Sequence, residues 1–233
     1  QGYETEASGQ ASHAQGRGTM AGGNHSHAQG FLTTASGIAS HAQGGYTTAI
    51  GTYSHAQGQY TEAGGNYSPT QGYFTTASGY ASHAGGRGTN DSRRVVANGD
   101  TSFAHFRNSS GTPMGAMGHY SAILGGVNHN IGINANNSAI LGGYGNIVSG
   151  VINSVILGGS SITATAANTA YVPNLNISSI GSSTPVNNLG VDINGNVVVG
   201  KEQDYSPVID TRSTNENPQW YFDNFGSKVT YEL

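Results

Sequence analysis

The sequence predicts an all-β solenoid, a stack of parallel β coils, and three observations carry that prediction. One 14-residue unit is written six times without an insertion across 2–86, with units starting at Gly2, Gly16, Gly30, Gly44, Gly58 and Gly72. Each unit contains a smaller echo of itself: Thr33-x-Ala35-x-Gly37 is followed seven residues later by Ser40-x-Ala42-x-Gly44. Gly recurs every seven residues and no 3.6-residue apolar stripe is present, which disfavours helix. A fixed period over this length is the mark of a solenoid.

The unit explains itself position by position. Gly stands at 1, Thr at 4, Ala at 6, Gly at 8, Ser at 11 and Ala or Thr at 13. Side chains alternate along a strand, so positions 4 and 6 share one side, as do 11 and 13. The Gly after each pair is expected to make a tight turn with positive φ. Each unit then forms two short strands and two turns, with Thr, Ala and Ser facing inward. Such a core is thin, because burying a CH₂-sized group is worth about 0.8 kcal/mol. Phe31, Leu32, Ile38, Ile50 and Phe74 are the only large aliphatics or Phe in the segment. One roll is therefore expected to need partners, and three copies side by side, a homotrimer, is the expected solution.

The outward positions say which face the partners cover. Position 12 reads His13, His27, His41, His55, Pro69 and His83, and position 14 reads Gln15, Gln29, Gln43, Gln57, Gln71 and Gly85. Position 5 wanders through Glu6, Met20, Thr34, Thr48, Glu62 and Thr76. A uniform face meets a uniform environment, so the His/Gln ladder is placed at the trimer interface and the variable face in solvent. Three chains would bring three His together at each level. That arrangement suits a packed ladder of neutral imidazoles, a captured metal or anion, or a pH switch.

Beyond the repeats the register changes. Residues 87–118 read as a connector or neck. Residues 119–167 read as a second, wider roll, since SAILGG at 121–126 recurs at 138–143 and SVILGG stands at 154–159, spacings of 17 and 16. Ile replaces Ala in the same grammar and gives a heavier core. Residues 168–200 read as a transition with a hairpin turning at Asn194-Gly195. Residues 201–233 read as a small β tip or a truncated domain, with strands expected at 207–211 and 227–232. The only Trp lies there, and Trp220, Tyr221, Phe222 and Phe225 form the candidate ligand surface, because exposed aromatic rings commonly fill partner pockets.

Composition excludes several classes. Charged residues are 9%, against about 25% in ordinary soluble proteins. Leu, Ile, Val and Phe make 41 of 233 residues, but the net charge is only −4, so the chain lacks the charge that marks disorder. Two Lys and six Arg without a basic stripe leave no footprint for nucleic acid. No apolar run reaches the ~20 residues of a membrane helix, so no membrane insertion is expected within this sequence. With no Cys, neither a disulfide framework nor a thiolate metal site can form. No cofactor or catalytic metal is expected. Asp and Glu are sparse and no Ser/His/Asp spacing repeats, so an enzyme is not expected either. The chain begins at Gln1, which reads as a processed or excised piece of a longer protein.

ASGQASHAQG at 7–16, ASGIASHAQG at 35–44 and ASGYASHAGG at 77–86 resemble the head repeats of YadA-like trimeric autotransporter adhesins. They are also similar to arrays in trimeric tail fibres of phages and bacteria. The resemblance covers 2–86 closely and 119–167 loosely. It implies trimers of left-handed parallel β-rolls, an extracellular place on a cell surface or a virion fibre, and non-catalytic adhesion to a cell-surface glycan or protein receptor. Residues 1–233 hold neither the coiled-coil stalk nor the membrane anchor of the autotransporters, both of which could lie outside this fragment. A purely structural spacer shaft is the competing class. A glycan-processing or autoprocessing enzyme would need a carboxylate pair or a nucleophile pocket in 87–118 or 201–233.

Overall fold

A computed structural model describes residues 1–173 and, beyond them, the strand segments 189–191, 197–199, 208–209, 219–224 and 227–232. Two compact units are present, 1–175 and 176–233. The first is a parallel β-solenoid of about twelve coils. Its strands form two sheets, one of twelve strands and one of eleven. Each 14-residue coil gives a five-residue strand to the first sheet, as in His41–Gly45, and a two-residue strand to the second, as in Thr48–Ala49. Successive coils pair in parallel and in register, so Ala28, Ala42 and Ala56 lie in one row and Ala35, Ala49 and Ala63 in another.

The inward face is the one the pattern predicts. Ala21, Ala28, Ala35, Ala42, Ala49, Ala56 and Ala63 are fully buried and form one cluster. Thr19, Thr33, Thr47 and Thr61 are buried at the corner before the short strand, and Ser26, Ser40, Ser54 and Ser68 at the corner before the long one. The corners themselves differ from expectation. Of the two glycines that recur in the units, at positions 1 and 8, only the one at position 1 has positive φ (Gly44, +126°), and it lies inside the long strand. Gly at position 8 is required by close stacking: a Cβ on Gly37 would sit 2.1 Å from the carbonyl oxygen of Gly51 in the next coil. The left-handed corner residues stand instead at positions 3 and 10, and all but Gly18 in the six units are non-glycine. Tyr46 (φ 54°), Tyr60 (55°), Tyr53 (56°) and Tyr67 (58°) are among eighteen such residues. The left-handed backbone costs an L-residue about 1–2 kcal/mol. It is offset here because each corner N–H reaches the coil before it, Tyr46 N–H donating to Phe31 O (2.8 Å) and Tyr53 N–H to Ile38 O (2.8 Å).

Residues 87–118, expected as a connector, are built as further coils. Val95–Ala97 and Met114–Ala116 extend the second sheet, and Phe103–Arg107 extends the first. The inner row continues through Val95, Ala97, Ala104 and Ala116, with the extra residues looped out at the corner that follows the long strand. A 3-10 turn, Asp91–Arg93, forms one of these loops. The repeat was obscured by the loops, while the strands kept their alternation. The heavier coils of 119–167 follow in the same two sheets, with Ala122 on Ala139 and Ile147 on Thr163. Their cores hold Ile123, Ile131, Ile140, Val148 and Ile156, all fully buried in a cluster that begins at Ala77.

In the second unit Leu189–Val191 pairs antiparallel with Val197–Val199. The expected turn at Asn194-Gly195 lies outside the described residues. Val208–Ile209, Gln219–Asn224 and Ser227–Glu232 form a three-stranded antiparallel sheet. The strand at Gln219–Asn224 was not anticipated. No helix among the described residues is long and apolar enough to cross a membrane.

The interior hydroxyls supply a test. Thr33, Thr47 and Thr61 Oγ1 are buried without a hydrogen-bond partner, and exchanging such a group for an apolar one of the same shape relieves its desolvation cost. Thr47→Val is expected to raise stability by about 1 kcal/mol, whereas Gly37→Ala is expected to lower it by about 1–3 kcal/mol or more through overpacking. Urea unfolding of the two variants checks both signs.

Candidate functional site

The site is the outer face of the first sheet. In the long strands from His13–Arg17 to His55–Gln59 the buried Ala is flanked by two outward residues, His before it and Gln after it. Parallel in-register pairing then aligns like with like: His13 on His27, His27 on His41, His41 on His55, and Gln15, Gln29, Gln43 and Gln57 beside them.

The rings fill the ~4.8 Å spacing between parallel strands. His27 and His41 stack with centroids 4.8 Å apart and planes 5° from parallel, and His41 and His55 stack at 4.8 Å and 6°. His13 meets His27 edge-on at 5.0 Å. The amides form a ladder of their own. Gln29 Nε2 donates to Gln15 Oε1 (3.3 Å), Gln43 to Gln29 (3.3 Å) and Gln57 to Gln43 (3.5 Å). Stacked imidazoles present faces to one another, so their lone pairs do not converge. Among the described residues of one chain no group of three or more His, Cys, Asp or Glu is placed to hold a metal ion.

The stack favours neutral rings. Nε2 of His27 and of His41 is sealed from solvent without a partner. Burial, and then the neighbouring His55 and His27, push the His41 pKa below the ordinary histidine value. Burial, and then His105, lower that of His83.

The expected ladder residues divide into two groups. His13, His27, His41 and His55 are brought together. Pro69 pairs in the next position and ends the imidazole run. His83 stands beyond it and stacks on Phe103 instead, at 4.9 Å and 19°. Gln71 lies in register with Gln57. Trp220, Tyr221 and Phe222 lie on the strand Gln219–Asn224, paired with Ser227–Glu232. Phe225 lies outside the described residues.

One feature of this face was missed in the sequence. The His row continues through Phe103, Ala122, Ala139, Val155 and Ala170. Two residues further along each strand, on the same side, stand Leu124, Leu141 and Leu157. They are 55%, 42% and 47% exposed, although every neighbouring inward Ile is fully buried. The face thus passes from a His/Gln ladder to a Leu row without a break in the sheet. The signal was present, since Leu occupies the same place in SAILGG, SAILGG and SVILGG, but Ile beside it absorbed the core assignment.

The opposite sheet carries no such rows. Its outward positions run Glu6, Met20, Thr34, Thr48, Glu62 and Thr76. Apart from this face, His129 is fully buried in the solenoid, where Nδ1 accepts from Asn146 N–H (3.1 Å) and burial lowers its pKa.

No family model matches the chain, and no curated protein matches it.

The lowered histidines fix a pH dependence. Their folded pKa values lie below the ordinary 6.5, so in acid the unfolded chain binds more protons than the folded one. Stability is then fully present above about pH 6.5 and is lost as pH falls toward the lowered folded values. The melting temperature is expected to drop between pH 7 and pH 5. His41→Gln should shallow that slope. A melting temperature independent of pH over this range would contradict the neutral stack.

Proposed function

We propose that the chain is a segment of a homotrimeric extracellular fibre that mediates adhesion or receptor recognition at a cell surface without catalysis. The rolls are left-handed, as in the YadA-like heads that the repeats resemble, and the outer faces of the three first sheets pack around the fibre axis. The observation that carries this reading is the single uniform face of the first sheet, a stacked His/Gln ladder that ends in an exposed Leu row.

Physical chemistry favours a partner there. The exposed Leu row is poorly solvated by water, whereas a second copy presents the same rows at the same ~4.8 Å spacing. The row positions of His, Gln and Leu on this face include no acidic residue that a neighbouring copy would have to neutralise. An unpartnered apolar row of this kind marks an interaction surface. Trimerisation also supplies avidity: three weak receptor contacts on one fibre raise effective concentration without a new contact. Trp220, Tyr221 and Phe222 remain the proposed receptor-contacting residues, together with Phe225. The rod of the first unit, roughly 50 Å long at the ~4.8 Å coil spacing, equally suits a spacer that carries a separate recognition tip.

Binding to whole cells separates the readings. Trp220→Ala with Tyr221→Ala is expected to lower cell binding at least tenfold with the solenoid intact by circular dichroism. Unchanged binding would assign the segment to the spacer role.

A further inference from the structure

The chain has six arginines, and four of them, Arg87, Arg93, Arg94 and Arg107, fall within 87–107. The fold gathers two of them on one spot. His83–Arg87 pairs in register with Phe103–Arg107, setting His83 on Phe103, Gly85 on His105 and Arg87 on Arg107. By alternation all six residues lie on the outer side of the first sheet. Arg87 and Arg107 stand at its rim, where the strand meets the corner. They emerge one coil apart, about 4.8 Å, and both are exposed.

No carboxylate among the described residues pairs with either. Asp91 is engaged by Arg94 at 2.8 Å, and Asp100 lies 3.4 Å from His119. The same position elsewhere reads Tyr3, Arg17, Phe31, Gly45, Gln59 and Tyr73 before this point, and Val127, Tyr144 and Ser160 after it. Among the described coils only this pair puts like charges in register, an arrangement that by itself destabilises a sheet. Arg17, the single earlier case, has its guanidinium 5.7 Å from the ring centroids of both Tyr3 and Phe31.

Along the same two strands, before the arginines, the outer face changes character. Gly85 replaces the Gln of the five preceding coils, and the His105 imidazole lies over it: a Cβ there would stand 2.8 Å from His105 Nδ1. His83 stacks on Phe103, and Phe103 lies 6.3 Å from His105 at 22°. These rings continue the rows of the face that the proposed trimer closes, and the two arginines stand beyond them at the rim. Guanidinium groups bind carboxylate, sulfate or phosphate oxygens in pairs.

We infer that Arg87 and Arg107, unpaired and in register at the exposed rim of the first sheet, bind the oxyanion groups of an acidic cell-surface polysaccharide. The bound anion removes the repulsion between the two arginines. The inference rests on the receptor-recognition reading and names a second contact for it, on the solenoid rather than on the C-terminal strands.

Titration of the full chain with dextran sulfate, polygalacturonate and uncharged dextran tests it. The sulfate and carboxylate polymers distinguish which oxyanion is preferred, and at least one of them is expected to bind while uncharged dextran does not. Arg87→Gln with Arg107→Gln should weaken that binding at least tenfold, and Arg17→Gln should leave it within twofold. Equal losses in the two variants, an undiminished double variant, or no binding to either anionic polymer would overturn the site. Solution mass and circular dichroism measured on the same samples report assembly and folding. A monomer that binds through Arg87 and Arg107 would contradict the trimer and leave the site standing. A trimer that binds neither polymer would do the reverse.

Discussion

The structure depends on how closely its coils stack. Glycine carbonyls approach so near to the glycines of the preceding coil that a single Cβ at Gly37 or Gly44 would fall 2.0–2.1 Å from the next oxygen. That contact sets the in-register pairing, and the pairing turns every sequence position into a row. Rows explain the stacked imidazoles, the amide ladder, the Ala core and the aromatic corner, where Tyr46, Tyr60 and Phe74 stack at 4.7 and 4.5 Å. They also multiply whatever a single position costs. Left-handed corners and partnerless Thr hydroxyls recur coil after coil, set against an interior of Ala that gains only about 0.8 kcal/mol per CH₂-sized group. A thin core of this kind makes the outer faces matter to stability more than they do in a thick domain.

The two halves of the first unit meet this constraint differently. In the N-terminal coils the core is Ala, Thr and Ser, and the outer face of the first sheet is tied together by ring stacking and amide hydrogen bonds. In the later coils Ile123, Ile131, Ile140 and Ile156 fill the interior, and the outer face loses its ladder to Leu124, Leu141 and Leu157. The left-handed corners change too. Tyr and Ala give way to Asn128, Asn137, Asn153 and Asn168, a residue type that tolerates this backbone at lower cost. Asn153 and Asn168 extend the ladder logic to that corner, with a 2.9 Å side-chain hydrogen bond. The insertions at 88–94 and 108–113 leave the sheets intact and add their residues at one corner. Arg94 secures the first of them: its Nη1 donates to Tyr60 O (2.9 Å) and its guanidinium lies 5.6 Å from the Phe74 ring centroid.

Much of this was legible in the sequence because alternation along a strand converts spacing into sidedness. Thr33, Ala35, Ser40 and Ala42 could be placed inside, and His41 and Gln43 outside, from period alone. The corners were less legible. Position 8 holds Gly for stacking and position 10 holds Tyr, Ala or His in a left-handed conformation, and the usual association of Gly with positive φ points the wrong way at both. Residues 87–118 were opaque because loops of unequal length broke the count, although Val95-x-Ala97 and Phe103-x-His105 kept the two-residue alternation. The Leu row was hidden by its neighbours, since an apolar residue beside a core Ile reads as more core until the facing is fixed. Arg87 and Arg107 are 20 residues apart, and only the strand register shows them as a pair.

The central claim is that the uniform face of the first sheet is closed by two further copies of the chain. Sedimentation equilibrium of the full chain measures this most directly. The account predicts a mass three times the 23.8 kDa of one chain, unchanged on dilution. A stable folded species at the mass of a single chain would contradict it.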